Sequence, residues 1–196
     1  MLCFLPKEEK FLTMLISNAL IVFFLIGLFS LAEAQNKKIV KTVSNVDLGR
    51  YKGLWYEIAK IPNRFQRKCA RGTTAQYVLR DDGKIDVINQ CYTQEGKIIE
   101  AKGIARVVDS ESNAKLKVSF VKILGLSLFW GDYWIIGLGD DYEFAIVGTP
   151  NRKYGWILSR TPELSQEKME TIFELLREQD YNPEDFIMTS QSADIN

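Results

Sequence analysis

The sequence predicts an all-β domain of eight short antiparallel strands, followed by one α-helix on its outside and a short final strand. Three observations predict it. Between residues 54 and 160, eight strand-like stretches are separated by turn-rich pieces such as Asp81-Asp82-Gly83, Gln94-Glu95-Gly96 and Thr149-Pro150-Asn151. No helical repeat interrupts that span. Beyond it, Met169, Ile172, Phe173 and Leu176 recur at i, i+3, i+4 and i+7, the spacing of one buried helix face. Eight strands on hairpin-length connections make either a closed up-and-down barrel or a sandwich of two sheets.

The chain opens with a mixed-charge start, Met1 to Lys10, and 22 uncharged positions from 11 to 32. The small-x-small exit Ala32-Glu33-Ala34 follows. This is the pattern of a secretory signal peptide cleaved after Ala34. The apolar run is also long enough to cross a bilayer, so an uncleaved N-terminal anchor is the second reading. Either way the remainder is exported. Residues 35–45 are polar and read as an extended arm. Residues 46–51 read as a short helical turn leading into the first strand.

The strands are expected at 54–61, 73–79, 84–91, 98–107, 115–121, 133–138, 144–147 and 154–160. For one hairpin the facing follows from geometry. With Asp81-Asp82-Gly83 as a three-residue loop and Gly83 left-handed, Arg80 pairs with Lys84. Tyr77 then faces Val87, Ala75 faces Asn89 and Thr73 faces Cys91, all on one face of the sheet. The opposite face carries Thr74, Gln76, Asp86 and Gln90, so the first is the interior. It holds the polar atoms of Tyr77, Asn89 and Thr73. Such atoms suit a cavity that orients a ligand head group, although a core with satisfied hydrogen bonds also accommodates them.

After the strands, Ser165 suits a helix N-cap and Leu164 staples onto Met169. Asn182-Pro183 stops the helix, residues 186–188 add a short edge strand, and the last residues, 191–196, read as a flexible tail.

Composition removes several classes of function. The chain has 25 basic and 25 acidic residues, 46% hydrophobic and 12% aromatic content, and no histidine. Beyond Ala34 there remain 23 basic against 22 acidic residues, which gives no electrostatic reason for nucleic-acid binding. Without histidine there is no Ser-His-Asp triad, no Cys-His dyad and no ordinary zinc site, so neither a metal nor a cofactor is expected.

Five local patterns occur in order: Gly53-x-Trp55-Tyr56-Glu57-Ile58-Ala59, Tyr77-x-Leu79-x-Asp81-Asp82-Gly83, Leu116-Lys117-Val118-Ser119-Phe120, Asp141-Tyr142 with Ala145, and Trp156-Ile157-Leu158-Ser159-Arg160-Thr161-Pro162. On these motifs, residues 46–190 resemble the lipocalin family, closest to the bacterial outer-membrane lipocalins and more distantly apolipoprotein D. The resemblance implies an eight-stranded up-and-down antiparallel β-barrel with one C-terminal α-helix packed on the outside. It also implies that Gly53, Trp55 and Arg160, with Asp140 and Tyr142 of the turn beside them, are structural residues of the closed end. Arg160 would lie over the indole of Trp55, worth about 0.5–2 kcal/mol. It further implies a non-enzymatic carrier, and it places Trp156 against the ligand.

The open end then carries the function. Tyr77, Asn89, Trp156 and Glu57 are candidates for the cup lining, with Phe129 and Trp130 from the almost entirely apolar rim segment 123–130. A carboxylate at Glu57 without a partner would have its pKa raised by desolvation. The first rim loop carries Arg64, Arg67, Lys68 and Arg71, which suit an anionic head group or form a solvated charge run. A fatty acid or lysophospholipid is the expected partner, held for storage, transport or envelope maintenance. Contact of 123–130 with a membrane surface, and a homodimer, are further partners that an apolar rim allows. Two other classes remain open, an envelope interaction protein using that rim and a lipid isomerase or hydrolase using Glu57 or Cys91.

Cys3 falls in the leader. Cys69 and Cys91 are an even pair in an exported domain and are expected to form a disulfide. Thr73, opposite Cys91, is four residues past Cys69, about 13 Å in a regular strand. The bond therefore needs a bend at Gly72; two free thiols are the alternative. The bacterial outer-membrane lipocalins that the chain resembles commonly carry a lipobox cysteine at the cleavage site. Ser30-Leu31-Ala32-Glu33-Ala34-Gln35 has none, which points to a periplasmic or secreted protein, or one held at the membrane by the uncleaved segment.

Overall fold

The computed structural model describes residues 38–123 and 126–191. The expected leader, the first residues of the arm, positions 124–125 and the tail 192–196 lie outside the described residues. Ile39–Asn196 form one compact unit. Among the described residues, every member of both hydrophobic cores and every rung of the sheet belongs to it, so this unit carries its own core and a closed sheet.

The chain enters through a one-turn helix, α1 (Leu48–Tyr51), capped by Asp47, whose carboxylate accepts from Gly49 N at 2.7 Å and Arg50 N at 3.2 Å. Eight strands close the barrel: β1 (Gly53–Lys60), β2 (Arg71–Leu79), β3 (Ile85–Tyr92), β4 (Ile98–Val107), β5 (Lys115–Ser119), β8 (Gly131–Leu138), β9 (Phe144–Gly148) and β10 (Gly155–Ser159). Each pairs antiparallel with the next, and β10 returns to β1 through Tyr56–Ser159, Glu57–Leu158 and Lys60–Trp156. Closure removes the sheet edges and decides for the barrel over the sandwich.

The expected β2–β3 register is the observed one: Tyr77 opposite Val87, Ala75 opposite Asn89, Leu79 opposite Ile85. Thr73, Tyr77, Val87 and Cys91 are buried, while Gln76, Val78 and Gln90 on the other face are exposed. The apolar rim segment, expected as a loop after a fifth strand ending at 121, is itself built of strand. β5 ends at Ser119, and β6 (Val121–Ile123) and β7 (Leu126–Leu128) form a separate two-stranded hairpin. Ser119, buried at the junction, donates its hydroxyl to Leu128 O at 2.5 Å and to Val121 O, fastening that hairpin to the barrel.

Two cores divide along the wall. The inner one contains Trp55, Tyr77, Val87, Leu116, Ile135, Val147 and Leu158. The outer one lies beneath α2 (Gln166–Glu178), where Ile172 and Leu176 are fully buried against Ile58, Ala59, Ile146 and Ile157, with Met169 and Phe173 beside them. Ser165 caps the helix by accepting from Lys168 N, and Leu164 joins the same cluster. Tyr181 then ties the helix exit to the barrel, accepting from Thr149 N at 2.8 Å. The described part of the arm is fastened too. Val40 is buried in the outer core, and Val43 N donates to Ile135 O at 3.0 Å.

The last described residues depart from the expected fraying tail. β1 and β2 pair only from Gly53 to Tyr56 and then separate, and β11 (Ile187–Met188) fills the gap by pairing with Ala59 and Lys60 of β1. Thr189 N donates to Ile58 O at 2.9 Å and Gly72 N donates to Ser190 O at 2.7 Å. The Gln191 amide donates to Glu57 O at 2.7 Å and Thr73 O at 3.0 Å. Ser190 and Gln191 are thus part of the wall, because strands that splay leave backbone groups that need partners.

Candidate functional site

The two ends of the barrel differ in how their polar groups are used. At the closed end the Trp55 indole is fully buried and donates to Tyr51 O at 2.8 Å. The Arg160 guanidinium lies 3.8 Å from its ring centroid and donates to four carbonyls, those of Leu54, Arg50, Tyr51 and Lys52. Gly53 sits beside it with φ +98, a left-handed conformation in which a side chain would meet the guanidinium at 3.4 Å. Tyr142, also left-handed, accepts from Asp47 N at 2.8 Å and lies under Arg50, which donates to Asp140 O. These contacts close the floor.

Directly above it, three tyrosines from α1, β2 and β8 form a chain. Tyr51 and Tyr77 each hydrogen-bond the Tyr133 hydroxyl, at 2.7 and 2.8 Å. Burial pushes the Tyr77 phenol up to about 12, with Glu57 adding to the rise, and burial raises Tyr51 and Tyr133 well above the ordinary phenol range. All three are therefore neutral. Three hydroxyl protons and two internal bonds leave one proton for a further acceptor.

Higher up, Thr73 Oγ1 and Asn89 Oδ1 are buried on the inner face of β2 and β3, and neither has a protein hydrogen-bond partner. Ala75, Val118, Tyr133 and Trp156 pack against the inner core but are only partly buried, which marks the accessible side of the cup. The Trp156 indole donates to Gln66 Oε1 at 2.9 Å, and the Gln66 amide donates in turn to Glu57 Oε2 at 2.5 Å.

Glu57 is buried as expected but has a full set of partners. A β-bulge between Glu57 and Ala59 turns Lys60 to the same side, and its ammonium donates to Glu57 Oε1 at 2.7 Å. Thr189 donates to the same oxygen at 2.7 Å. The expectation of a carboxylate without a partner is not met, since Lys60, Thr189 and Gln66 all donate to it. Its network links β1, the first rim loop and the final strand.

Cys69 and Cys91 are joined by a disulfide, with Cα atoms 5.5 Å apart. The bend that the register demands is present: Gly72 has φ +60, the β2–β3 ladder shifts between Arg71 and Thr74, and Ala70 N donates to Tyr92 O at 2.7 Å. The bond pins the first rim loop to β3 and leaves no free thiol at position 91.

The remaining rim candidates belong to the lip, where Arg71 Nε is buried without a hydrogen-bond partner. Arg71 lies beside the Tyr92 ring, 5.6 Å from its centroid. Phe129 is turned to solvent, and Trp130 lies under the exposed Arg106 at 4.5 Å. Arg64 and Arg67 are exposed on the first loop. Sequence reasoning missed Tyr51, Tyr133, Lys60, Gln66, Thr189 and Gln191. Tyr133 was accessible to the same period-two argument used for Tyr77, since it lies opposite the inward Leu116. For Lys60 no local signal exists, because the bulge sets its side.

With this geometry in hand, comparison with known proteins is specific. The family model described as a lipocalin-like domain matches residues 46–191. Temperature-induced lipocalin-1 of Arabidopsis thaliana is 39% identical over 159 residues, covering 80% of this chain and 85% of that protein. Outer membrane lipoprotein Blc of Escherichia coli (strain K12) is 39% identical over 153 residues, covering 78% and 83%. Apolipoprotein D of Macaca fascicularis is 32% identical over 184 residues, covering 85% and 91%.

Proposed function

The chain belongs to the lipocalin family, whose members bind small hydrophobic ligands, and on that premise we propose that it carries an amphiphilic lipid, a fatty acid or a lysophospholipid. The acyl tail lies in the cup against Trp156 and Tyr77, and the polar end meets Thr73 and Asn89, with Arg71 at the lip as the cation for an anionic head group. Glu57 takes no part in chemistry; it holds Gln66, and through it the Trp156 indole, in place. The observation that carries this reading is the pair of buried, unpartnered polar atoms on the inner face, Thr73 Oγ1 and Asn89 Oδ1. Native proteins rarely leave such atoms without a partner, and a ligand head group supplies one.

The protein acts outside the cytoplasm, in a bacterial periplasm or at an outer membrane, or as a secreted carrier in other cells. Two observations support this: the disulfide, which persists in oxidising compartments, and the relatives named for an outer membrane or as apolipoproteins. Its role there is storage, transport or maintenance of the envelope.

Native mass spectrometry of an exported preparation, followed by organic extraction and lipid analysis, tests the reading. Acyl lipid released at the monomer mass is the expected result. A ligand-free dimer that takes up neither fatty acid nor lysophospholipid overturns it in favour of an interaction protein.

A further inference from the structure

The hairpin loops at the mouth and at the floor of the barrel carry opposite charge, although the chain as a whole is neutral. The three hairpin turns of the closed end, residues 80–84, 108–114 and 139–143, hold seven carboxylates against two cations. At the open end, the loops 62–71, 93–97 and 149–154 hold seven cations against the single carboxylate of Glu95. Arg152 is neutralised by Asp180 at 3.6 Å. Arg64, Arg67, Lys68 and Lys153 are exposed, and among the described residues none of the four is in an ion pair.

The same end displays the apolar surface. Phe129 is 80% exposed, Leu126 67%, Phe65 65% and Ile98 63%, one or two from each of three neighbouring loops. No large apolar side chain of the three closed-end turns is more exposed than Val108 at 49%. Phe65 also begins a ladder of rings. It lies 5.6 Å from Tyr154, which stacks 6.1 Å from Trp156 in the cup wall. A continuous aromatic path therefore runs from the exposed lip to the interior.

From this coincidence we propose that the barrel docks mouth-down on an anionic lipid bilayer, with Phe65, Ile98, Leu126 and Phe129 entering the interface and Arg64, Arg67, Lys68 and Lys153 meeting its phosphates. Neither component suffices alone, because a few apolar side chains or a few cations bind reversibly and weakly, whereas the two together add their free energies. The charge separation also orients the approach, since the acidic hairpin turns of the closed end are repelled by the surface that attracts the mouth. Aromatic rings settle at the head-group level, so the Phe65–Tyr154–Trp156 ladder is positioned to conduct an acyl chain between bilayer and cup. Docking stands on the outer surface and is independent of what the cup holds.

Flotation of the 39–196 unit with vesicles tests the proposal without requiring a bound ligand. With vesicles of equal parts phosphatidylcholine and phosphatidylglycerol at low salt, the protein floats; with phosphatidylcholine alone it stays behind, and rising salt releases it. At about fivefold per cation, R64Q/R67Q/K68Q weakens partition roughly 100-fold. F65S/L126S/F129S also abolishes flotation at low salt. All six positions are on exposed loop or hairpin surface, and an unchanged melting temperature verifies that each variant is folded. Equal flotation with uncharged vesicles, survival of binding in the triple-glutamine variant, or absence of flotation with a rim-mediated dimer in its place overturns the proposal.

Discussion

The closed and open ends of this barrel are made from the same strands, yet their polar groups obey different rules. At the floor the charged and polar side chains find their partners inside the protein: Arg160 meets four carbonyls, Trp55 one, and Tyr142 the cap of α1. At the mouth, Thr73 and Asn89 have inward polar atoms without one, and four exposed cations have no carboxylate partner among the described residues. Residue type does not separate the two ends, since both contain Trp, Tyr and Arg. Completeness of pairing does: a saturated group is fixed by the fold, whereas an unsaturated one is available to something outside it.

The strongest way to break this comparison is to truncate the two inward tryptophans in turn. Trp55→Ala removes a fully buried indole and the platform of Arg160, with an expected cost of about 3–5 kcal/mol in urea unfolding. Trp156→Ala, at the accessible side, leaves the unfolding midpoint much closer to wild type and lowers affinity for a fatty acid or lysophospholipid. Equal loss of stability and binding in both variants would show that the ends are not divided as described. Reduction of the Cys69–Cys91 bond comes next. Its 22-residue separation predicts a loss of about 3 kcal/mol in the chain-entropy model, read as a fall in melting temperature with reductant. An unchanged transition would show that the mouth does not depend on the bond.

A smaller, pH-confined effect sharpens the account of the floor. The folded Tyr77 is held at about 12 against an unfolded value near 10, so the folded state binds the phenolic proton more tightly. Its contribution is fully present below pH 10 and is lost as pH rises toward 12. Tyr51 and Tyr133 act in the same sense. Alkaline titration should therefore show these three tyrosinates appearing together with unfolding, and Tyr77→Phe should reduce the pH dependence. Tyrosinate absorbance that rises for all tyrosines near pH 10, in protein that remains folded, would remove the buried chain.

The legibility of the molecule in its sequence follows the range over which its signals act. The β2–β3 register was readable because Gly83 fixes the turn and alternation does the rest. The cap at Ser165 and the buried stripe of α2 were readable for a similar reason, being local. The signature residues Trp55 and Arg160 were readable from the family's pattern. Lys60 was not, because a single extra residue near Ile58 reverses the facing of everything after it. Thr189 and Gln191 bind Glu57 from more than 130 positions away, and nothing in a two-residue strand of Ile and Met announces where it will insert. Phe129 and Trp130 are apolar residues on a rim, a description that fits the inside of a mouth as well as its outer lip.

That late insertion has a temporal meaning. Because β1 and β2 part above Tyr56 and residues 187–191 fill the space between them, one wall of the cup is contributed by chain that leaves the ribosome after all the others. Until those residues arrive, Glu57 and Lys60 face a slit open to water, and the nascent barrel has no sealed interior to load. Sealing of this wall therefore waits on contacts that join Glu57 to residues more than 130 positions later, so the barrel closes last where its chain segments are most distant.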